Sequence, residues 1–196
     1  MTAERLFVDD NFSPEVGFLR RRAFGRSLGV LRFSPRPANW RGVRKVYYEG
    51  SFDYYTSPAG DLQSREGQAA FKIEANKGDT LQIETSRTFE ALEKPFSVAK
   101  NVTVAVGEYA FQQFGVIYQL GPQRKVSGSA TVRHGSFYDG TLDELTWRGR
   151  VELSPQFYAE PTVSWNRFDL PWGRGNNTLV SSRLTYTLSP RMLVSA

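Results

Sequence analysis

Apolar and polar residues alternate with a period of two along most of this chain. From 157 to 166, Phe157, Ala159, Pro161, Val163 and Trp165 point one way, and Tyr158, Glu160, Thr162, Ser164 and Asn166 the other. The preceding run sets Leu145, Trp147, Gly149, Val151 and Leu153 against Glu144, Thr146, Arg148, Arg150 and Glu152. Val46, Tyr48, Phe52 and Tyr54 oppose Glu49, Ser51 and Asp53, and Val180, Leu184, Tyr186 and Leu188 oppose Ser181, Arg183, Thr185 and Thr187. This is strand periodicity, not the 3.6 of a helix. Short turns punctuate it: Phe33-Ser34-Pro35-Arg36, Asn76-Lys77-Gly78-Asp79, Leu120-Gly121-Pro122-Gln123, Leu153-Ser154-Pro155-Gln156 and Leu188-Ser189-Pro190-Arg191. Each interval leaves room for one long hairpin.

The pattern predicts strands near 22–33, 43–56, 62–75, 80–90, 108–120, 124–136, 143–153, 157–168, 177–188, and a tenth starting at 192. The opposite ends of the hairpins, 57–61, 90–107, 137–142 and 169–177, read as longer, wetter loops. The fold class is therefore all-β: an up-and-down antiparallel meander of about 9–10 long strands, a partial outer-membrane β-barrel. Residues 1–21 read as a lead-in and 22–196 as the partial barrel. The first strand is untidy, because Leu28 and Val30 share parity with Arg26 and Arg32, and a bulge near Gly25 or Gly29 is expected.

Turn lengths predict register. A three-residue loop at 154–156 pairs Leu153 with Phe157, Trp147 with Val163, and Arg150 with Glu160. The same rule at 77–79 sets Ile73 against Ile83 and Lys72 against Glu84. Opposite charges then meet on the polar face. Pro161 deletes a ladder donor and predicts a local gap.

Alternation alone leaves open which face is inside. Strand length, the many full charges of the polar face (Glu49, Asp53, Lys72, Glu74, Glu84, Arg133, Arg148, Arg150, Glu160, Arg183) and the loop asymmetry favour oily side chains toward lipid and ionic ones toward a wet lumen. Composition adds little. The 196 residues carry 25 Lys+Arg, 20 Asp+Glu and no cysteine, which excludes a disulfide framework or zinc-thiolate site. The excess of +5 is spread along the strands, so no nucleic-acid partner is expected. Aromatics near strand ends (Phe33, Trp40, Tyr54, Tyr55, Phe89, Tyr109, Phe137, Tyr138, Phe168, Trp172) suggest interfacial girdles. Met1–Asp10 has acidic residues where an export signal needs an apolar run, and Met192 opens a strand that stops at Ala196. The sequence reads as a piece of a longer protein.

Three strings carry a likeness. Asp10-Asn11-Phe12-Ser13-Pro14-Glu15-Val16-Gly17-Phe18-Leu19-Arg20-Arg21, Gly121-Pro122-Gln123-Arg124 through Gly135-Ser136-Phe137-Tyr138-Asp139-Gly140, and Leu188-Ser189-Pro190-Arg191-Met192 resemble an uncharacterised bacterial outer-membrane family. Its members carry an export signal, an N-terminal family-9-type carbohydrate-binding module and a C-terminal β-barrel of unknown function. The resemblance implies a place in the barrel region, in the outer membrane, against lipid. It places any sugar-binding residues in a module outside this chain.

Chemistry is sparse. His134, the sole histidine, has no evident nucleophile or carboxylate beside it and reads as interfacial or lumen-facing. His134–Gly140 with Asp143 and Glu144 matches no calcium loop, Pro171–Asn177 has no phosphate-loop pattern, and Asn101-Val102-Thr103 is a chance glycosylation match. No catalytic, cofactor or metal residue is assigned. The candidate lumen-facing residues are Lys72, Glu84, Arg148, Arg150, Glu160 and Arg183, either a charged constriction for an anionic or sugar-like solute or charges that knit neighbouring strands. The expected role is the noncatalytic, membrane-embedded part of a surface protein handling extracellular ligands such as carbohydrate. The alternatives are a soluble β-sheet binding module and an outer-membrane barrel hydrolase using His134.

Overall fold

The computed structural model describes residues 1–9, 11, 23–100, 102–189 and 192–195. Thirteen strands form among them: β1 (Thr2–Val8), β2 (Phe24–Phe33), β3 (Val43–Thr56), β4 (Leu62–Ala75), β5 (Thr80–Leu92), β6 (Phe96–Ala99), β7 (Val102–Val104), β8 (Gly107–Leu120), β9 (Val126–Phe137), β10 (Gly140–Ser154), β11 (Phe157–Leu170), β12 (Gly173–Ser189) and β13 (Met192–Ser195). Eleven make one antiparallel sheet in the order β1-β2-β3-β4-β5-β8-β9-β10-β11-β12-β13, and β6 and β7 form a separate hairpin. The sheet is an up-and-down meander. Its edges, β1 and β13, do not pair with each other, so it is not closed.

The β-branched and aromatic alternation that specifies these strands also fixes which way each side chain faces. A single cavity touches Thr2 of β1, Glu49 of β3, Glu84 of β5 and Glu144 of β10, so the sheet bends toward its polar face. The other face is convex and carries the large apolar side chains, among them Phe52, Ile83, Phe114, Val132 and Leu184, all more than a third exposed. Ser127, Thr146 and Thr185 are buried on the concave side.

Several expectations need correction. Residues 2–8 do not lead in; they form edge strand β1 against β2. β2 pairs with β3 in one unbroken register, so there is no bulge at Gly25 or Gly29, and Leu28 and Val30 join Arg26 and Arg32 on the concave face. The hairpin ends at 137–142 and 169–177 are tight rather than long. Tyr138 and Asp139 both take positive φ (42° and 62°) as a two-residue turn, and Pro171-Trp172 links β11 to β12. The long stretch after β5 contains the β6–β7 hairpin.

Register is right in one hairpin and displaced in the other. Trp147 faces Val163 as expected, but a bulge near the turn pairs Ser154, not Leu153, with Phe157. At the β4–β5 turn the Ala75 N–H bonds the Asp79 carbonyl at 2.8 Å, with Gly78 at φ +80°. The loop is therefore Asn76-Lys77-Gly78, and Ile73 faces Leu81 while Lys72 faces Gln82. The two-residue slide keeps every side chain on its expected face. The gap at Pro161 is present: paired positions jump from Arg148↔Thr162 to Val151↔Ala159.

Candidate functional site

Following β8, β10 and β11 toward the β6–β7 end, the polarity of both faces inverts. On β8 the concave positions run Gly115, Gln113, Phe111, Tyr109, while the convex ones run Val116, Phe114, Gln112, Ala110. On β10 the concave side passes from Glu144 to Leu142 and the convex side from Leu145 to Asp143; on β11, Asn166 gives way to Phe168 and Leu170 as Trp165 gives way to Arg167 and Asp169. Beyond this level the sheet has an apolar inside. Val102, Val104, Tyr109, Tyr138, Phe168 and Leu170 form the one buried apolar cluster among the described residues, with Leu92, Phe111, Leu142 and Trp172 against it. The β6–β7 hairpin supplies Val102 and the fully buried Val104.

Packing in this cap is edge-on aromatic: Tyr109–Tyr138 at 5.2 Å and 76°, Tyr109–Trp172 at 5.9 Å and 80°. The Tyr138 hydroxyl donates to Glu90 Oε2 at 2.5 Å and the Tyr109 hydroxyl to the Ala105 carbonyl at 3.0 Å. Burial, followed by the bond to Glu90, pushes the Tyr138 phenol well above its ordinary range. Four residues expected in an interfacial girdle (Tyr109, Tyr138, Phe168, Trp172) thus belong to this cap, because strand parity turns them inward and the hairpin covers them.

On the other side of the inversion, away from the cap, lies the charged zone. Register and parity place all six candidate residues, Lys72, Glu84, Arg148, Arg150, Glu160 and Arg183, on the concave face. They do not make the contacts expected of them. Glu84 meets Arg133 (Arg133 Nε to Oε1, 2.9 Å), and Arg133 also reaches Glu144 at 3.4 Å. The triad crosses β8 at Gly115, where a Cβ would sit 2.9 Å from Glu84 Cγ and 3.2 Å from Arg133 Cγ. Lys72 lies over the Tyr47 ring at 4.4 Å, beside Lys45 at 4.8 Å. Arg150 lies over the Tyr158 ring at 4.0 Å rather than against Glu160, whose registered neighbour is Arg183. Around the triad is a cavity of about 650 Å³, lined also by Arg32, Glu49, Glu66, Gln68 and Gln113.

The convex apolar band crosses the hydrogen-bonded rows obliquely. Gly50, the centre of the stretch Val46–Tyr54 on β3, is connected row by row through Ala69, Thr85, Phe114, His134, Asp143 and Arg167 to Asn176 on β12. The apolar stretch of β12, Val180–Leu188, is centred eight residues further on, at Leu184. Seven strand steps separate β3 from β12. At about 3.3 Å per residue and about 4.8 Å per strand, the band makes an angle of roughly 40° with the rows. In that slanted frame the six candidates lie at one height, each within about two residues of the band centre on its own strand.

His134 is on the convex face with its Nδ1 2.6 Å from Asp143 Oδ1, so, against expectation, a carboxylate does lie beside it, brought there by the β9–β10 pairing. Residues 134–144 are two strand ends and a turn, so the residues considered for calcium are split between faces, and no group of three potential metal ligands occurs among the described residues. Asn101, residues 12–22, Pro190 and Arg191, which carry part of the glycosylation and family strings, lie outside the described residues. The β6–β7 cap and the Glu84–Arg133–Glu144 triad had no direct sequence signal; the polarity inversion did, in runs such as Leu142-Asp143-Glu144-Leu145. Family models, curated proteins and solved structures yield no match to this chain.

Proposed function

We propose that this chain is the bilayer-spanning part of a bacterial outer-membrane protein, with lipid against its convex face and its concave face as one wall of a wet lumen. The carrying observation is the polarity inversion. Below it, strands carry apolar side chains on the convex face and ionic ones on the concave face; above it, β8, β10 and β11 do the reverse. Such a change along one strand follows a change of solvent, from hydrocarbon to water. The slant of the band supports the same reading, because a membrane cuts tilted barrel strands obliquely, at about 35–45°. Five outward positions, as on β12, cover about 26 Å of strand and about 20 Å of membrane depth at that tilt.

In this reading the segment holds or passes polar solutes arriving from outside, with carbohydrate among the expected ligands, and is noncatalytic. The β6–β7 cap marks the outer end, where outer-membrane barrels carry their longer loops.

An arginine scan along β12 in lipid vesicles tests this. Leu184→Arg is expected to cost about 2–4 kcal/mol, with Thr178→Arg nearer 0–1 kcal/mol. On β4 the maximum should fall at Phe71. A flat profile, or a chain that is monodisperse in buffer without detergent, would overturn the proposal.

A further inference from the structure

The charged zone has two limbs that treat their arginines differently. From β2 to β9 every concave arginine holds a carboxylate: Arg26 takes Asp53 at 2.7 Å, Arg32 takes Glu49 at 2.5 Å, and Arg133 takes Glu84 and Glu144. From β10 to β12 no described carboxylate comes within ion-pair distance of Arg148, Arg150 or Arg183, and all three are exposed. Two acids share that face: Glu160 sits in register between Arg150 and Arg183, and Glu152 lies two residues beyond Arg150 and opposite Tyr158, and neither closes on an arginine of the three. Three guanidiniums against two carboxylates leave a local excess of positive charge.

Arg148 and Arg183 flank a common position. Arg148 faces Thr162 on β11, and Thr162 faces Ser181 on β12, next but one to Arg183. Arg148 and Arg183 are thus rooted about 12 Å apart on either side of a hydroxyl-bearing strand. Extended arginine side chains span that gap, while the cation–π seat of Arg150 on Tyr158 holds a third guanidinium at the edge of the zone, four residues along β11 from Thr162. A guanidinium fork matches the oxygen pair of a carboxylate or phosphate.

We propose that the β10–β12 limb binds an oxyanion group of a small solute, over Thr162 and between Arg148 and Arg183, with Arg150 at its edge. The inference rests on the concave face being a wet lumen wall and adds the chemistry it would recognise. The paired limb cannot compete, since its guanidinium forks are already occupied.

The test is nitrogen-15 NMR of arginine side chains on the full chain in lipid nanodiscs, titrated with inorganic phosphate, acetate or glucose. Phosphate and acetate should shift Arg148, Arg150 and Arg183 saturably and leave Arg26, Arg32 and Arg133 in place, while neutral glucose moves none. Arg148→Gln with Arg183→Gln should weaken binding by about tenfold or more, and Glu160→Gln should tighten it. Equal affinity for both anions favours a carboxylate ligand; preference for phosphate favours a phosphorylated one. Uniform, non-saturating shifts of all arginines, or unchanged affinity in the double variant, would overturn the site. The outcome is separable from the arginine scan of β12: a flat scan with saturable binding fails the membrane reading alone, and a peaked scan without binding fails this one alone.

Discussion

The two ends of β8, β10 and β11 belong to one continuous ladder yet obey opposite rules. At one end Phe168 and Tyr138 are 6% and 5% exposed inside the bend while Arg167 and Asp143 face out. A few residues away Trp147 and Leu145 face out and Arg133 lies within, paired to Glu84 and Glu144. Hydrogen bonding does not change across the boundary; only the partner of the side chains does. Backbone pairing therefore defines the sheet, and side-chain phase decides which face of each segment is apolar.

The comparison is broken most severely at the apolar end. Phe168 stands on the cap with its ring over Gly175, where a Cβ would come within 2.5 Å of the ring. Phe168→Ala removes that ring from a packed cluster whose neighbours are held by strands on both sides. A loss of about 3–5 kcal/mol in unfolding free energy is expected, measured by near-ultraviolet dichroism in detergent. A loss below about 1 kcal/mol would mean that the cap is not a packed core.

The charged end should respond less. Arg133→Met leaves Glu84 and Glu144 sharing a site without their cation. These groups keep a quarter or so of their side-chain exposure, so water moderates the cost. About 2 kcal/mol of destabilisation is expected near neutral pH, relieved by adding Glu84→Gln. Additive losses in the double-mutant cycle would show that the triad is not coupled.

What the sequence made legible follows from the range of the information. Local alternation placed the ends of the 43–56 and 62–75 strands where the structure has them, and turn length paired Trp147 with Val163. It misjudged the β4–β5 turn because Gly78, at φ +80°, closes the loop one residue earlier than a loop at 77–79 would. β6 and β7 are too short, at 4 and 3 residues, to show a period. The Glu84–Arg133 bond joins residues on either side of Gly115, and no local rule predicts which strands flank β8 once a long excursion intervenes. The inversion was present in the residues but invisible while one face was assumed to keep one character along a whole strand.

Tyr138 offers the finest probe, because it is where the apolar cap touches a charge. Its hydroxyl donates to Glu90, a residue of the concave face, and its ring is wedged against Tyr109, Phe111 and Phe137. Tyr138→Phe keeps the ring and deletes the donor, so about 1 kcal/mol of stability should be lost at neutral pH. The pH dependence separates this from a packing defect. Burial holds the folded phenol above its ordinary range, whereas in the unfolded chain it ionises near pH 10. A raised folded pKa means that the unfolded state releases the proton first, so the Tyr138 contribution is complete below about pH 10 and declines as pH rises further. The stability difference between wild type and Tyr138→Phe should therefore be constant from pH 7 to about 9 and shrink toward pH 11, read as the gap between their melting temperatures. A gap that stays level through that alkaline window would place Tyr138 in water, and the cap would then not be the dry counterpart of the charged zone.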